Sequence, residues 1–153
     1  MKRRLFIKGS IATGALGVAV GTGLIPRAAL AAWSKEAFEA KDVNGALTGL
    51  FGSADHAASD KIKIKAPDIA ENGAVVPVSV TTDIAGAQSI SSISEKNQTP
   101  LTASFDLGPG AEGYVSTRIK MGKTSKVYAV VKADDKLHSA VKEVKVTIGG
   151  CGG

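Results

Sequence analysis

One side chain in this sequence is equipped to form a covalent bond with a substrate, and every residue around it is glycine. Cys151 is the single cysteine among 153 residues and lies in Gly149-Gly150-Cys151-Gly152-Gly153, at the end of the sequence. A lone thiol excludes an intramolecular disulfide and a cage of cysteines around a metal. The thiolate is the reactive form, and at the reference pKa of a free cysteine it is a minor species at neutral pH. No residue near Cys151 in the sequence supplies a base to activate it or an oxyanion donor beside it. The motif therefore predicts no enzyme active site, no catalytic residue, no cofactor and no metal. Gly149, Gly150, Gly152 and Gly153 add no packing and leave the backbone its greatest freedom, so residues 149–153 read as a flexible arm. Fully extended, an arm of that length spans about 16–18 Å. Its use is delivery: a slim peptide can enter a narrow channel in another protein and present sulfur at the bottom.

Competing uses of the cysteine fail on spacing. A prenylation box needs the cysteine fourth from the end, whereas Cys151 is third. A lipoprotein anchor puts the cysteine at the signal cleavage site. A copper site of cupredoxin type is suggested by His56, His138, Met121 and a late cysteine, but that arrangement needs His and Met ligands shortly after the cysteine, where only glycine stands. His56 and His138 read as surface or turn histidines.

The residues that must bring this thiol to its place of work begin with an address. Arg3-Arg4-Leu5-Phe6-Ile7-Lys8 precedes an uncharged stretch rich in Gly and Ala, and Ala29-Leu30-Ala31 supplies the small-residue exit that a signal peptidase needs. The weakly apolar core and the pair Arg3 and Arg4 read as a twin-arginine export signal, cut near Ala31, on a protein of the bacterial periplasm. A retained membrane anchor is the weaker reading, so no membrane association is expected after processing. Five of the 19 basic residues lie in this leader with no acid, which leaves residues 32–153 with 14 basic and 14 acidic groups. Without net positive charge, and with no basic stripe interleaved with aromatics, nucleic-acid binding has nothing to rest on.

Beyond the leader, Ala40, Val43, Leu47 and Leu50 form an apolar stripe at helical spacing, with Ser34 as N-cap and Gly52 as terminator. The stripe predicts one short helix, or two turns broken near Asn44-Gly45, followed by a linker to Asp60. The period then changes to two. Lys61-Ile62-Lys63-Ile64-Lys65 alternates cleanly, its lysines guarding a sheet edge. Val76, Val78 and Val80 share a face, while Pro77 argues for an edge or a bulge. Further strands are expected over a weaker segment at residues 88–93, over Leu101, Ala103, Phe105 and Leu107, and over Val115, Thr117, Ile119 and Met121. Another covers residues 126–133 and turns at Asp134-Asp135, and a last strand carries Val144, Val146 and Ile148. About seven strands with regular turn signals predict an all-β fold, an immunoglobulin-like antiparallel β-sandwich with a short N-terminal helix and a C-terminal arm. The chain thus divides into residues 1–31 (twin-arginine signal peptide), 32–60 (helical segment and linker), 61–148 (β-sandwich domain) and 149–153 (carrier arm).

Three features together resemble the SoxY family of sulfur carriers from the bacterial thiosulfate-oxidising Sox system: the twin-arginine leader, the stretch Ala66-Pro67-Asp68-Ile69-Ala70-Glu71-Asn72-Gly73-Ala74-Val75-Val76-Pro77-Val78, and the terminal Gly149-Gly150-Cys151-Gly152-Gly153. The resemblance implies that Cys151 carries the substrate covalently. In such a cycle a c-type cytochrome enzyme (SoxAX) joins thiosulfate to the thiol, a hydrolase (SoxB) releases sulfate, and a sulfane dehydrogenase (SoxCD) oxidises the sulfur that remains. It also implies a heterodimer with a SoxZ-type β-sandwich subunit, which twin-arginine export of an assembled pair would carry across the membrane. The alternative expectation is a periplasmic binding or adaptor subunit whose tail cysteine forms an interchain disulfide.

Overall fold

The computed structural model describes residues 34–149. The leader with Arg3 and Arg4, and Gly150, Cys151, Gly152 and Gly153 of the arm, lie outside the described residues. Two helices, α1 (Lys35–Glu39) and α2 (Val43–Phe51), precede nine strands: β1 (Ala57–Ala58), β2 (Ile62–Lys65), β3 (Ile69–Ala70), β4 (Val76–Thr82), β5 (Ala87–Ser94), β6 (Leu101–Asp106), β7 (Tyr114–Ile119), β8 (Ser125–Ala133) and β9 (Lys136–Val146). The larger sheet runs β1-β9-β8-β5-β6 with β3 also on β9, and the smaller runs β2-β4-β7. Between them lies an aliphatic core of Ile62, Val76, Val78, Val80, Ile90, Ile119, Met121, Val127, Val131 and Val144. The alternation of these residues along each strand puts them on one face, and burying that face against its counterpart is the main stabilising term. The all-β sandwich expected from the sequence is thus observed, with one correction. The seven longer strands pair antiparallel, but the two-residue strands β1 and β3 pair parallel to β9, at His138 and Ser139 and at Lys145 and Val146.

The N-terminal segment is a packed layer. Its helix breaks at residues 40–42, not near Asn44-Gly45, because the Asp42 carboxylate accepts the Gly45 N–H at 2.7 Å and caps α2 from its first turn. Ser34 flanks α1 without capping it; its Oγ donates instead to the Gly49 carbonyl at 2.8 Å and ties the two helices together. They cross so closely at Gly49 that an added Cβ would stand 2.7 Å from the Ala37 nitrogen. Gly52 ends α2 in the left-handed region, φ 77°, as expected of a C-terminal glycine. Ala37, Ala46 and Leu47 are buried against Ile93, Leu101, Val130 and Leu137 on the outer face of the larger sheet. The expected linker at residues 52–60 contains β1, so the helices are held to the sheet by both packing and strand pairing.

That extra layer explains why the segment at residues 88–93 looked weak. β5 is buried along nearly its whole length, with Ile90 toward the sandwich core and Ile93 toward the helices, so no single-sided stripe exists to be read. Leu101 and Leu107 do not share a face as alternation predicts. Ile93 pairs with Leu101 and Ser92 with Ala103, so Thr102 is bulged out; Leu101 turns to the helices while Leu107 packs on the sandwich core. Pro77 lies in the central strand of the smaller sheet, but β2 pairs β4 only over residues 79–82, so at Pro77 the strand has β7 alone as a neighbour. The missing N–H costs nothing there. The lysines of β2 do face outward from an edge strand.

Candidate functional site

The chain leaves the sandwich for Cys151 at the end of β9. β9 ends at Val146, two residues before the expected Ile148, because residues 147 and 148 bend away from the ladder. β8 begins opposite Val144, so among the described residues the strand has no antiparallel partner past that point. Other groups hold the last residues. The Val146 N–H donates to Thr124 Oγ1 at 2.9 Å. On the opposite side, the Thr147 N–H donates to the Ala70 carbonyl at 3.1 Å and its hydroxyl to the Glu71 carbonyl at 3.1 Å. The Ile148 carbonyl accepts the Gly73 N–H at 2.9 Å, and the Gly73 carbonyl accepts the Met121 N–H at 2.7 Å. Gly149 follows directly.

The clamp is made by residues 66–74, which run alongside the end of β9. Lys142 pins their start, reaching the Ala66 carbonyl at 2.6 Å and the Asp68 carboxylate at 3.0 Å. Asp68 is exposed, so the charge pair adds little, whereas the lysine's bond to a carbonyl fixes a backbone position. Asn72 shapes the far end of the segment, its Oδ1 accepting the Ala74 N–H at 2.9 Å. Three aliphatic side chains stand more than half exposed on these pieces: Ile69, Val75 and Ile148. Sequence reasoning singled out the arm and read Asn72-Gly73 as a turn. It missed Thr147, Thr124 and Lys142, whose hydrogen bonds join positions far apart in the chain and leave no local signature.

The other residues weighed in the sequence fall elsewhere. His56 is exposed, with its ring 6.5 Å from that of Tyr128, and His138 lies on β9 beside β1. Among the described residues no cluster of three or more His, Cys, Asp or Glu could hold a metal. Met121 is buried in the core. The Tyr128 hydroxyl is held above its ordinary pKa, first by burial and then by the Glu95 carboxylate, to which it donates at 3.3 Å. Tyr114, exposed on the smaller sheet, is pushed the other way, chiefly by the Ser79 hydroxyl.

A family model described as sulfur oxidation protein SoxY matches residues 47–151, from within α2 to the terminal cysteine. The chain belongs to the SoxY family. Among solved structures, the sulfur carrier protein SoxY from Chlorobium limicola f thiosulfatophilum is 48% identical, with a TM-score of 0.64, over 70% of this chain and 97% of that one. Comparison with curated proteins gives no match. As a SoxY chain it is a sulfur-oxidation protein with a sulfur-carrier role, and the reading of its terminal cysteine as an interchain disulfide is not favoured. Partners within a Sox system go with membership of the family.

Proposed function

We propose that this SoxY chain carries sulfur intermediates covalently on the thiol of Cys151 and presents them to successive partner enzymes, itself catalysing nothing. The observation that carries the reading is that the family match runs through the clamped end of β9 to Cys151 itself. A rigid root and a side-chain-free arm are what a carrier needs: the domain docks, and only glycine and the loaded cysteine enter the enzyme. Tethering replaces diffusion between active sites with a high effective concentration. The SoxAX, SoxB and SoxCD types of enzyme are the partners that fit this cycle, and a SoxZ-type subunit is the companion. Export by way of Arg3 and Arg4 places the cycle in the periplasm.

Intact mass of the purified chain, after incubation with thiosulfate and a partner cytochrome enzyme and again after reductant, tests the proposal. Reductant-sensitive sulfur or thiosulfonate adducts on the peptide containing Cys151 are expected. Disulfide-linked dimers with no sulfur adduct would overturn it.

A further inference from the structure

Two connections at the arm end of the sandwich enclose an open cleft of about 480 Å³, the β5–β6 turn on one side and the β7–β8 connection on the other. Lys96, Lys120 and Lys123 line it together with Asn97, Gln98 and Thr99, and among the described residues no carboxylate does. Neither Lys96 nor Lys123 is in an ion pair among the described residues. Asn97 bolts the two sides together, its Nδ2 donating to the Lys120 carbonyl at 2.6 Å and its Oδ1 accepting the Gly122 N–H at 3.1 Å. The Lys96 N–H is fixed separately, on Ser125 Oγ at 3.0 Å. The backbone that carries the two lysines outside any ion pair, Lys96 and Lys123, is thus held on either side of the cleft. Two cations facing one concave surface concentrate a positive field there, and an anion in the cleft is drawn to it.

The same connection forms part of the clamp on the arm. Thr124 holds Val146, and Met121 bonds the Gly73 that in turn bonds Ile148. The cleft and the point where the chain departs toward Cys151 therefore share one backbone connection, residues 120–124, at one end of the molecule. The three residues from Ile148 to Cys151 can span about 10 Å. On the carrier reading, the group at the tip of that span ends for part of the cycle in a tetrahedral sulfur oxoanion.

We propose that the cleft of Lys96, Lys120 and Lys123 binds a tetrahedral sulfur oxoanion, either the sulfonate end of cargo on Cys151 or the free dianion. The inference rests on the carrier reading for the first source and is independent of it for the second. Amide NMR spectra of the full chain test both, because Cys151 can be converted to its S-sulfonate chemically. Sulfite attacks a mixed disulfide at Cys151, the S–S bond breaks with loss of the small thiolate, and a cysteine S–SO₃⁻ remains, with no partner enzyme involved.

Shifts at residues 96–99 and 120–123 are expected in the S-sulfonated chain and on titrating the unloaded chain with sulfate. Chloride at matched ionic strength should not reproduce them. Replacing both Lys96→Gln and Lys123→Gln, at exposed positions, should weaken sulfate binding at least tenfold while leaving core amides in place. Shifts with sulfate but not with S-sulfonate would uphold the site and assign it to the free anion. No selective shift from either probe, or shifts only with an acidic partner protein, would overturn it. Failure of thiosulfate loading in the mass experiment would count against the carrier reading alone.

Discussion

At one end of the sandwich β8 turns into β9 through two residues, Asp134 and Asp135, both in the left-handed region at φ 47° and 59°. At the other end β9 is released from β8, gripped by residues 68–73, and passed on toward Cys151. The turn end gathers Asp83, Asp106, Glu112, Asp134 and Asp135 around the ends of β4, β6 and β8 and the start of β7. The arm end presents the cleft of Lys96, Lys120 and Lys123; its acids include Asp68, paired with Lys142, together with Glu71 and Glu95, whereas at the turn end Lys132 pairs with Asp135. Residues 32–153 balance at 14 charges of each sign, yet the two ends differ in sign. A neutral sum describes the average field of a molecule and says nothing about the field at its working end.

The largest effect is expected at Cys151. Cys151→Ser is expected to reduce sulfur loading to zero by intact mass while the thermal midpoint stays that of the parent chain. A large drop in midpoint would mean that the arm contributes to the fold and that the two ends are not separate in function. The converse experiment belongs to the turn end, where Gly113 lies against the Thr82 backbone and an added Cβ would meet the Thr82 carbonyl oxygen and stand 2.8 Å from its Cγ2. Gly113→Ala should lower stability by about 1–3 kcal/mol, read from the urea midpoint, while surviving folded protein still loads sulfur at Cys151.

Smaller effects sharpen the contrast. Asn97→Ala cuts the bolt across the lysine cleft and should lose about 0.5–1.5 kcal/mol in urea unfolding, with amide exchange accelerated at residues 120–124 and unchanged at Asp134 and Asp135. Acceleration at both ends would show that they move as one. The smallest change should be a gain. Asp135→Gly places the residue best suited to a positive φ at the second turn position and should add about 0.5 kcal/mol or a little more to stability. Sulfur loading should not change.

Much of this was legible in the residues because the signals are local. Alternation in residues 61–65 and 76–80 specified one-sided strands, Asp134-Asp135 specified a tight hairpin, and Gly52 specified a helix end, each from a few neighbouring positions. The glycine and cysteine motif is local in the same way, since five consecutive residues carry it. The rest depended on contacts distant in sequence. A helix layer on the outer sheet face buries β5 on both sides and erases its alternation. The bulge at Thr102 puts Leu101 and Leu107 on opposite faces, and no rule of spacing marks where a ladder skips a residue. The break between the helices lay with Asp42 because a carboxylate that caps competes better than a glycine that merely tolerates. The clamp on the arm draws on residues 70, 71, 73 and 124 to hold 146–148, a grouping that exists only after folding.

The length and pairing of β9 have a mechanical consequence. An enzyme that grips the loaded cysteine and then lets the carrier drift away pulls on the chain along the axis of this 11-residue strand. Its bonds to β8 lie across the strand axis, over nine residue pairs from Ser125 with Val144 to Ala133 with Lys136, so a pull from the arm loads them together in shear and not one after another as in a zipper. The parallel contacts with β3 at the exit share the same load. If Cys151 carries cargo into a partner as proposed, traction on it would be spread over this ladder and not concentrated on one bond.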